Sequence, residues 1–591
     1  MKQIGNLILF LISLWTVGFS SCCNDSPVQE GGITNQSWKK GQPLEISASQ
    51  VLSVTFDAAA RWTAYTNSTW CTVRTPSGEK GMSTIELSAT VASVERTATI
   101  IVSMEGYEPQ SFEVKQEADE HKISEEVEIN QKVDDYLREK YLWNEEYKTL
   151  KLDFTKDYEE FFYGALGSMT TNTLDKKPYT DDDGNTSYGL FSYIVKRNPA
   201  SKTRSVTLVK KELDYSFGIT GITPVIIGTE SNHTFYFCIQ GTYPDSPAAR
   251  AGIERGAMIS RINGNKINNN NLEDYFYNLL RPNSVFNLTL TEDFIRGGKV
   301  AKTQTTTLTS EAMYCNPVIT SKVEDRNGHR IGYLVYSEFD AGFDQELFDV
   351  FKQFKSRNIT DLILDLRYNG GGHTISANLI ASCIAGEACK GKIFTSLRFN
   401  EERMRKRDNQ RLEEKFAYSV YENLGTSLYA GGLGLNRVYC LTGNRTASSS
   451  ELVINALRGI DVEVVLIGQR TRGKNVGMEY TDIEVKKNIY RVVPITFQSY
   501  NAKGYGDYQN GFAPTLTINE TNPNNLERTF YALKGYGTDE EPLYAKAIER
   551  ITGKNPMSTT RSISQSAEVQ VRSMPAVHRP GYDGMLRKYK E

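Results

Sequence analysis

Between Asn444 and Lys474 the chain reads NRTASSSELVINALRGIDVEVVLIGQRTRGK. A serine run, Ser448 to Ser450, opens an amphipathic helical pattern, a strand pattern follows, and a lone lysine ends the stretch beside Gly473. A serine hydroxyl becomes a useful nucleophile only when a base takes its proton and donors steady the resulting oxyanion. A lysine buried enough to shed its charge can be that base. A second stretch could supply the donors. Leu362 to Arg367 reads as a buried strand and runs into Tyr368-Asn369-Gly370-Gly371-Gly372. Three glycines let the main chain approach a ligand closely, and their N–H groups suit a developing negative charge. Tight turns need glycine too, so the triplet alone is weak evidence. The chemistry in view is acyl transfer.

Groups of that kind need a rigid frame, and the length provides for several. At 591 residues the chain exceeds one hydrophobic core, and about three to four domains are expected. A net charge of −3, from 68 basic and 71 acidic residues, leaves no basic excess for phosphates and speaks against nucleic acid as partner. Five histidines and eight scattered cysteines show no metal-ligand spacing, so neither a metal nor another cofactor is expected.

Lys2, the apolar run Leu7 to Phe19, and Ser20-Ser21 before Cys22 have the order of an export signal, too short to span a bilayer comfortably. It resembles a bacterial lipoprotein signal, which implies lipidation of Cys22 and a membrane anchor at the cell envelope. Residues 23–40 form a polar tether. From 41 to 119 branched residues alternate around Pro76-Ser77-Gly78, as in a β-sandwich. Trp62, Ser68-Thr69-Trp70, Arg96-Thr97-Ala98 and Val114 to Ala118 resemble a BACON domain, an Ig-like module of exported proteins. The resemblance implies a spacer or adhesion role with possible glycan contact. Core filling is the better reading of its tryptophans.

Over 124–202 the period turns helical, with Val127, Ile129, Val133, Tyr136, Leu137 and Tyr141 at three- and four-residue intervals. Asp181 to Asn185 reads as an exposed polar turn rather than a calcium loop. In 203–296, short strands at Val206–Val209, Ile222–Ile227 and Phe235–Ile239 precede Ser246-Pro247-Ala248 and Ala251-Gly252. Gly256, Ile262-Asn263-Gly264 and a helix at Leu272–Leu280 follow. This order resembles a PDZ domain of bacterial proteases, which takes a peptide as an added strand. Phe217, Gly218 and Ile219 are then the peptide-binding segment.

The combination D-L-R-x-N-G-G-G at Asp365–Gly372, T-A-S-x-S-E at Thr446–Glu451 and G-K at Gly473–Lys474 resembles the S41 family, the C-terminal processing proteases. Tyr141-Leu142-Trp143-Asn144 is similar to the family's helical N-terminal segment. The resemblance implies a multidomain α+β chain with an Ig-like sandwich, a helical segment, a PDZ domain and a crotonase-like ββα core over 310–521. A terminal helix and a poorly ordered tail occupy 522–591. It implies Ser448 as nucleophile and Lys474 as base, with an oxyanion hole from the N–H groups of Ser449 and Gly371, or Gly370 if the register slips. Ser449 and Ser450 are fallback nucleophiles. Ser448-x-x-Glu451 is also a capping box, compatible with a nucleophile at a helix N-terminus, where the dipole favours negative charge.

Two positions depart from the family pattern. Met478 stands where some members carry a glutamine, and Thr515 where the end motif carries an aspartate. A Ser-His arrangement through His373 or His329 ranks second. The implied activity is that of an exported serine endopeptidase acting on polypeptides. The competing readings are an inactive peptide- or glycan-binding envelope lipoprotein and a crotonase-type acyl-CoA enzyme.

Overall fold

Residues 52–58, 81–89, 96–104 and 110–116 alternate apolar and polar side chains, and each forms a strand with alternate residues buried. The computed structural model describes residues 31–588 except 48–49, 67, 69, 90–94, 105, 118–119, 181–185, 198–212, 230–231, 281, 283, 297–298, 407–411, 519, 521–532, 557–568 and 572–584. The proposed signal, Cys22, the Asp181–Asn185 turn and the Val206–Val209 strand lie outside the described residues. The chain divides into two units, residues 1–127 with 155–157, and residues 128–154 with 158–591.

In the first unit a four-stranded and a five-stranded sheet enclose one core around Trp38, Phe56, Trp62, Ile85, Ile100 and Val114. Trp62 lies inside and donates its indole N–H to Ser83 Oγ at 2.7 Å. Trp70 is only half-buried and carries the Arg96 guanidinium 4.6 Å from its ring centre.

The second unit centres on a six-stranded sheet. We label its central strands β1 (His329–Tyr336), β2 (Asp361–Asp365), β4 (Arg437–Thr442) and β5 (Glu463–Gly468). β3 (Gly372–His373), β6 (Val476–Val485) and β7 (Met585–Lys588) belong to a second sheet. The helices of this core are α1 (Asp344–Ser356), α2 (Thr374–Ala385) and α3 (Ser449–Gly459).

β1, β2, β4 and β5 run parallel, which explains their nearly continuous apolar runs: parallel strands are covered on both faces. On one face Leu334, Leu364, Cys440 and Leu466 pack with residues of the three helices. On the other, Tyr333, Ile363, Leu441 and Ile467 pack with Leu543, Tyr544 and Ile548 of the helix Pro542–Thr552. All strands of this parallel set point the same way, so the loops after β2 and β4 meet at one end. Those loops carry the glycine triplet and the serine run.

A seven-stranded sheet contains the strands Ile219–Thr229, Asn232–Thr242 and Met258–Ile262, and the helix Leu272–Leu280 spans the residues its periodicity predicts. The sheet extends past residue 296, because Asn287–Arg296 pairs along its length with Lys299–Thr309. The tail expected to be poorly ordered holds two described strands, Val569–Val571 and β7. Their partners lie in distant parts of the chain, so no local pattern announces them.

Candidate active site

β4 ends at Thr442, and the chain turns through Gly443–Ala447 into α3. At that junction Ser448 adopts φ 59° and ψ −112°. Among the described residues with positive φ outside glycine, all but Ser448 and Lys486 are Asn or Asp. For serine this conformation is strained, and strain of this kind persists where the surroundings impose it. Here the Ser448 N–H donates to Glu451 Oε2 at 3.0 Å, one half of the capping box. The Ser448 hydroxyl is buried and its proton finds no acceptor, its oxygen facing the Glu451 N–H in the other half of the capping box.

The neighbouring serines do different work. Ser449 Oγ donates to the Gly372 carbonyl at 2.7 Å and Ser450 Oγ to the Asn369 carbonyl at 3.0 Å. Both hydroxyls therefore stitch α3 to the glycine loop. Of the three, Ser448 alone presents an uncommitted hydroxyl, which sets it apart from the fallback positions.

Glu451 joins the nucleophile's turn to the lysine's loop. Its Oε2 also accepts from the Lys474 N–H at 2.8 Å, while Oε1 accepts from Thr471 Oγ1 at 2.5 Å and from the Gly473 N–H at 2.7 Å. Burial raises the Glu451 carboxyl above its usual range, and these donors offset that only in part. Gly473 has φ 85°, and a Cβ there would sit 2.3 Å from the Gln509 carbonyl oxygen. Glycine is required at that point for the loop to close around Glu451.

Lys474 is 2% exposed. Its Nζ lies 3.7 Å from Met478 Sδ and 4.4 Å from the centre of the Phe191 ring. The thioether and the ring face wall in the amine. Asp175 stands behind this wall. It accepts from Tyr141 Oη at 2.7 Å and Ser192 Oγ at 2.6 Å, and burial raises its carboxyl while the hydrogen bonds and the Lys474 charge lower it.

The glycine loop reaches the serine as expected, with one difference. A Cβ on Gly371 would lie 2.8 Å from Ser448 Cβ and 3.1 Å from the Ser449 nitrogen. Yet the Gly371 N–H donates to Asn369 Oδ1 at 2.9 Å, so it is not a free donor in this conformation. The side chain of Asn369 competes for it, a contact that the glycine spacing cannot reveal. The Ser449 N–H begins α3, where no intrahelical acceptor exists.

Just upstream, Arg367 is buried among Asp365, Glu520 and Glu541, with contacts of 2.6 to 2.8 Å. Arg255 reaches the same Glu520 at 3.0 Å and Tyr368 Oη at 3.1 Å. This buried charge cluster holds the chain immediately before Asn369.

The two candidate histidines make other contacts. His329 Nδ1 is 2.8 Å from Asp361 Oδ2 at the first residues of β1 and β2, the opposite end of the sheet from Ser448. His373 Nδ1 lies 3.2 Å from the Ala341 nitrogen and 3.1 Å from the Phe339 oxygen. Phe217 and Gly218 lead into a strand of the seven-stranded sheet that begins at Ile219, with Phe217 and Ile219 in its core. The Gly218 N–H donates to Ser216 Oγ at 2.8 Å. Thr515 pairs with Leu466, its N–H donating at 2.8 Å and its Oγ1 accepting at 3.1 Å.

Sequence reasoning missed Glu451 as a four-donor hub, although its place in the capping box was a signal. It missed Phe191 and Asp175 entirely, because nothing local ties them to a lysine about 280 to 300 residues later in the chain.

Known proteins bear on this geometry. Residues 330–518 match the model of peptidase family S41, and residues 128–193 match the S41 N-terminal domain. A carboxyl-terminal-processing protease of Picosynechococcus is 26% identical over 39% of this chain and 49% of its own length. One from Synechocystis is 25% identical over 39% and 48%. The chain thus spans about half the length of the curated relatives it matches. A crystal structure of a candidate S41 protease from Bacteroides fragilis superposes with a TM-score of 0.53 at 24% identity, covering 71% of this chain and 97% of that one, a likeness of fold. The segments of this chain that resemble peptidase family S41 and its N-terminal domain hold Ser448, Glu451, Lys474 and the glycine loop, a likeness that supports a serine peptidase.

Proposed function

We propose that the chain is an exported, lipid-anchored endopeptidase that cuts polypeptides with a Ser448–Lys474 dyad. The observation that carries this reading is the pairing on Glu451. One buried carboxylate holds the main chain of both residues, and the Ser448 hydroxyl proton is left without an acceptor. Lys474 takes the Ser448 proton as Oγ attacks the scissile carbonyl carbon. The Ser449 N–H, with a donor from the glycine loop once Asn369 releases it, receives the oxyanion. Collapse expels the leaving amine with that proton and leaves an acyl-serine, which a water activated by the Lys474 amine hydrolyses to free acid and serine.

The seven-stranded sheet, read as a PDZ domain, would capture a substrate segment along the edge that begins at Phe217–Ile219. The N-terminal sandwich would act as a spacer, with glycan contact as its binding role. Cys22 would carry the lipid that anchors the chain to the membrane.

The test is incubation with unfolded polypeptide and a fluorophosphonate, read by mass spectrometry, for the native chain, Ser448→Ala and Lys474→Ala. Cleavage abolished by both substitutions, with the adduct on Ser448, is expected. A folded native chain that neither cuts nor labels would instead mark an inactive binding protein. Cleavage that survives Lys474→Ala would exclude the dyad.

A further inference from the structure

The C-terminal strand β7 lies where no local pattern would put it, in the slot beside Ser448. Its main chain runs parallel to β3 on one side, Gly372 opposite Met585 and His373 opposite Leu586. On the other side it runs parallel to β6, with Gly477, Met478, Glu479 and Tyr480 opposite Met585 through Lys588. β3 follows directly on Gly371, the residue against Ser448 Cβ, and β6 begins two residues after Lys474. The tail therefore passes between the loop that carries the oxyanion candidate and the strand that follows the base.

The slot is built for an extended chain. The other edge of β6 over Val476–Met478 is taken by the strand Ile495–Tyr500, and β3 is bridged on its far side to Phe339. What remains between them is a pair of strand edges facing each other. Unpaired edges accept any extended polypeptide through main-chain hydrogen bonds, with little regard to its sequence. The same tail also adds Val569–Val571, antiparallel, to the strand Ile219–Thr229, opposite Ile227 to Val225. Two strand-accepting edges of the molecule are thus filled by one stretch of its own chain.

We propose that Met585–Lys588 is a built-in competitor for the substrate strand, so that the chain closes its own cleft until the tail leaves. This rests on the peptidase reading for what is blocked, but not for where the tail lies. A polypeptide substrate would take the same parallel register against Gly477–Tyr480, and the tail and substrate would exclude one another.

The test uses the full chain in a Ser448→Ala background, so that nothing is cut, with Leu586→Pro and Arg587→Pro as separate variants. Proline removes a donor from the ladder, and successive N–H groups of a strand face opposite neighbours, so the two variants strike the two edges. The readouts are amide exchange at Gly477–Tyr480 and binding of a labelled synthetic peptide of residues 583–591. Expected are slow exchange and weak peptide binding in the parent. Both variants should exchange faster and bind the peptide at least about 10-fold tighter. Equal peptide binding by parent and variants, or exchange at Gly477–Tyr480 that ignores both prolines, would overturn the proposal. With Ser448 restored, the variants should also label faster with fluorophosphonate. If no form labels while the exchange and peptide arms respond, the tail's place stands and the peptidase reading falls.

Discussion

Glu451→Gln separates the tie between nucleophile and base from the rest of the site. The carboxylate accepts four hydrogen bonds, two on each oxygen. Glutamine offers one oxygen and one NH₂ group. In its best orientation the oxygen keeps the N–H groups of Ser448 and Lys474, and Thr471 turns its hydroxyl to accept. The Gly473 N–H then faces another donor, an orphan costing about 1–3 kcal/mol. The two retained bonds lose their charge assistance, about 1 kcal/mol each. Relief of the buried charge offsets part of this, leaving a loss of about 3 kcal/mol. In a unit of about 460 residues, with an unfolding entropy of about 2.1 cal/mol/K per residue, that lowers the melting temperature by roughly 3 °C. Because the Ser448 turn and the Lys474 loop then shift independently, fluorophosphonate labelling of the folded protein should fall about 100-fold. The assay is labelling rate against pH at a temperature where both proteins are folded, beside calorimetry. A melting temperature within roughly 1 °C of the parent and labelling within about threefold would refute the hub. A large thermal loss with an unchanged labelling profile would make Glu451 a purely structural residue.

Gly371→Ala places a methyl 2.8 Å from Ser448 Cβ on a backbone with φ 115°. Labelling of Ser448 should drop at least about 100-fold while the far-ultraviolet circular dichroism is unchanged, and near-native labelling would remove Gly371 from the site. Asp344 is fully buried, and burial pushes its carboxyl up to about 7 against hydrogen bonds from Ser376, Tyr421 and Asn423. An acid raised in this way supports the fold while protonated: the contribution is whole below about 4 and drains as pH rises through about 7. Relative to Asp344→Asn, the native chain should therefore lose about 3 kcal/mol between pH 5 and 9, and denaturant midpoints that track each other across that range would contradict it.

The periodicities of this chain are local facts, and they determined a good part of it. Alternation marks the sandwich strands, and continuous apolar runs mark β2 and β5 as parallel strands covered on both faces. Helical spacing marks α1 and Leu272–Leu280. The serine run at a helix start, the glycine triplet after a strand and the Gly-Lys pair were legible because each depends on main-chain conformations that few residue types tolerate. The same locality limits what can be read. Which serine keeps a free hydroxyl was decided by carbonyls of the glycine loop, which captured Ser449 and Ser450. Whether Gly371 offers its N–H was decided by the Asn369 side chain two residues away, turned by its bond to Tyr336. Burial of Lys474 depended on Phe191, far earlier in the chain. The tail, polar and without a period, became a strand only because two edges elsewhere lacked partners. Periodicity and backbone tolerance are written residue by residue, whereas hydrogen-bond partners and desolvation are settled only when distant segments pack together.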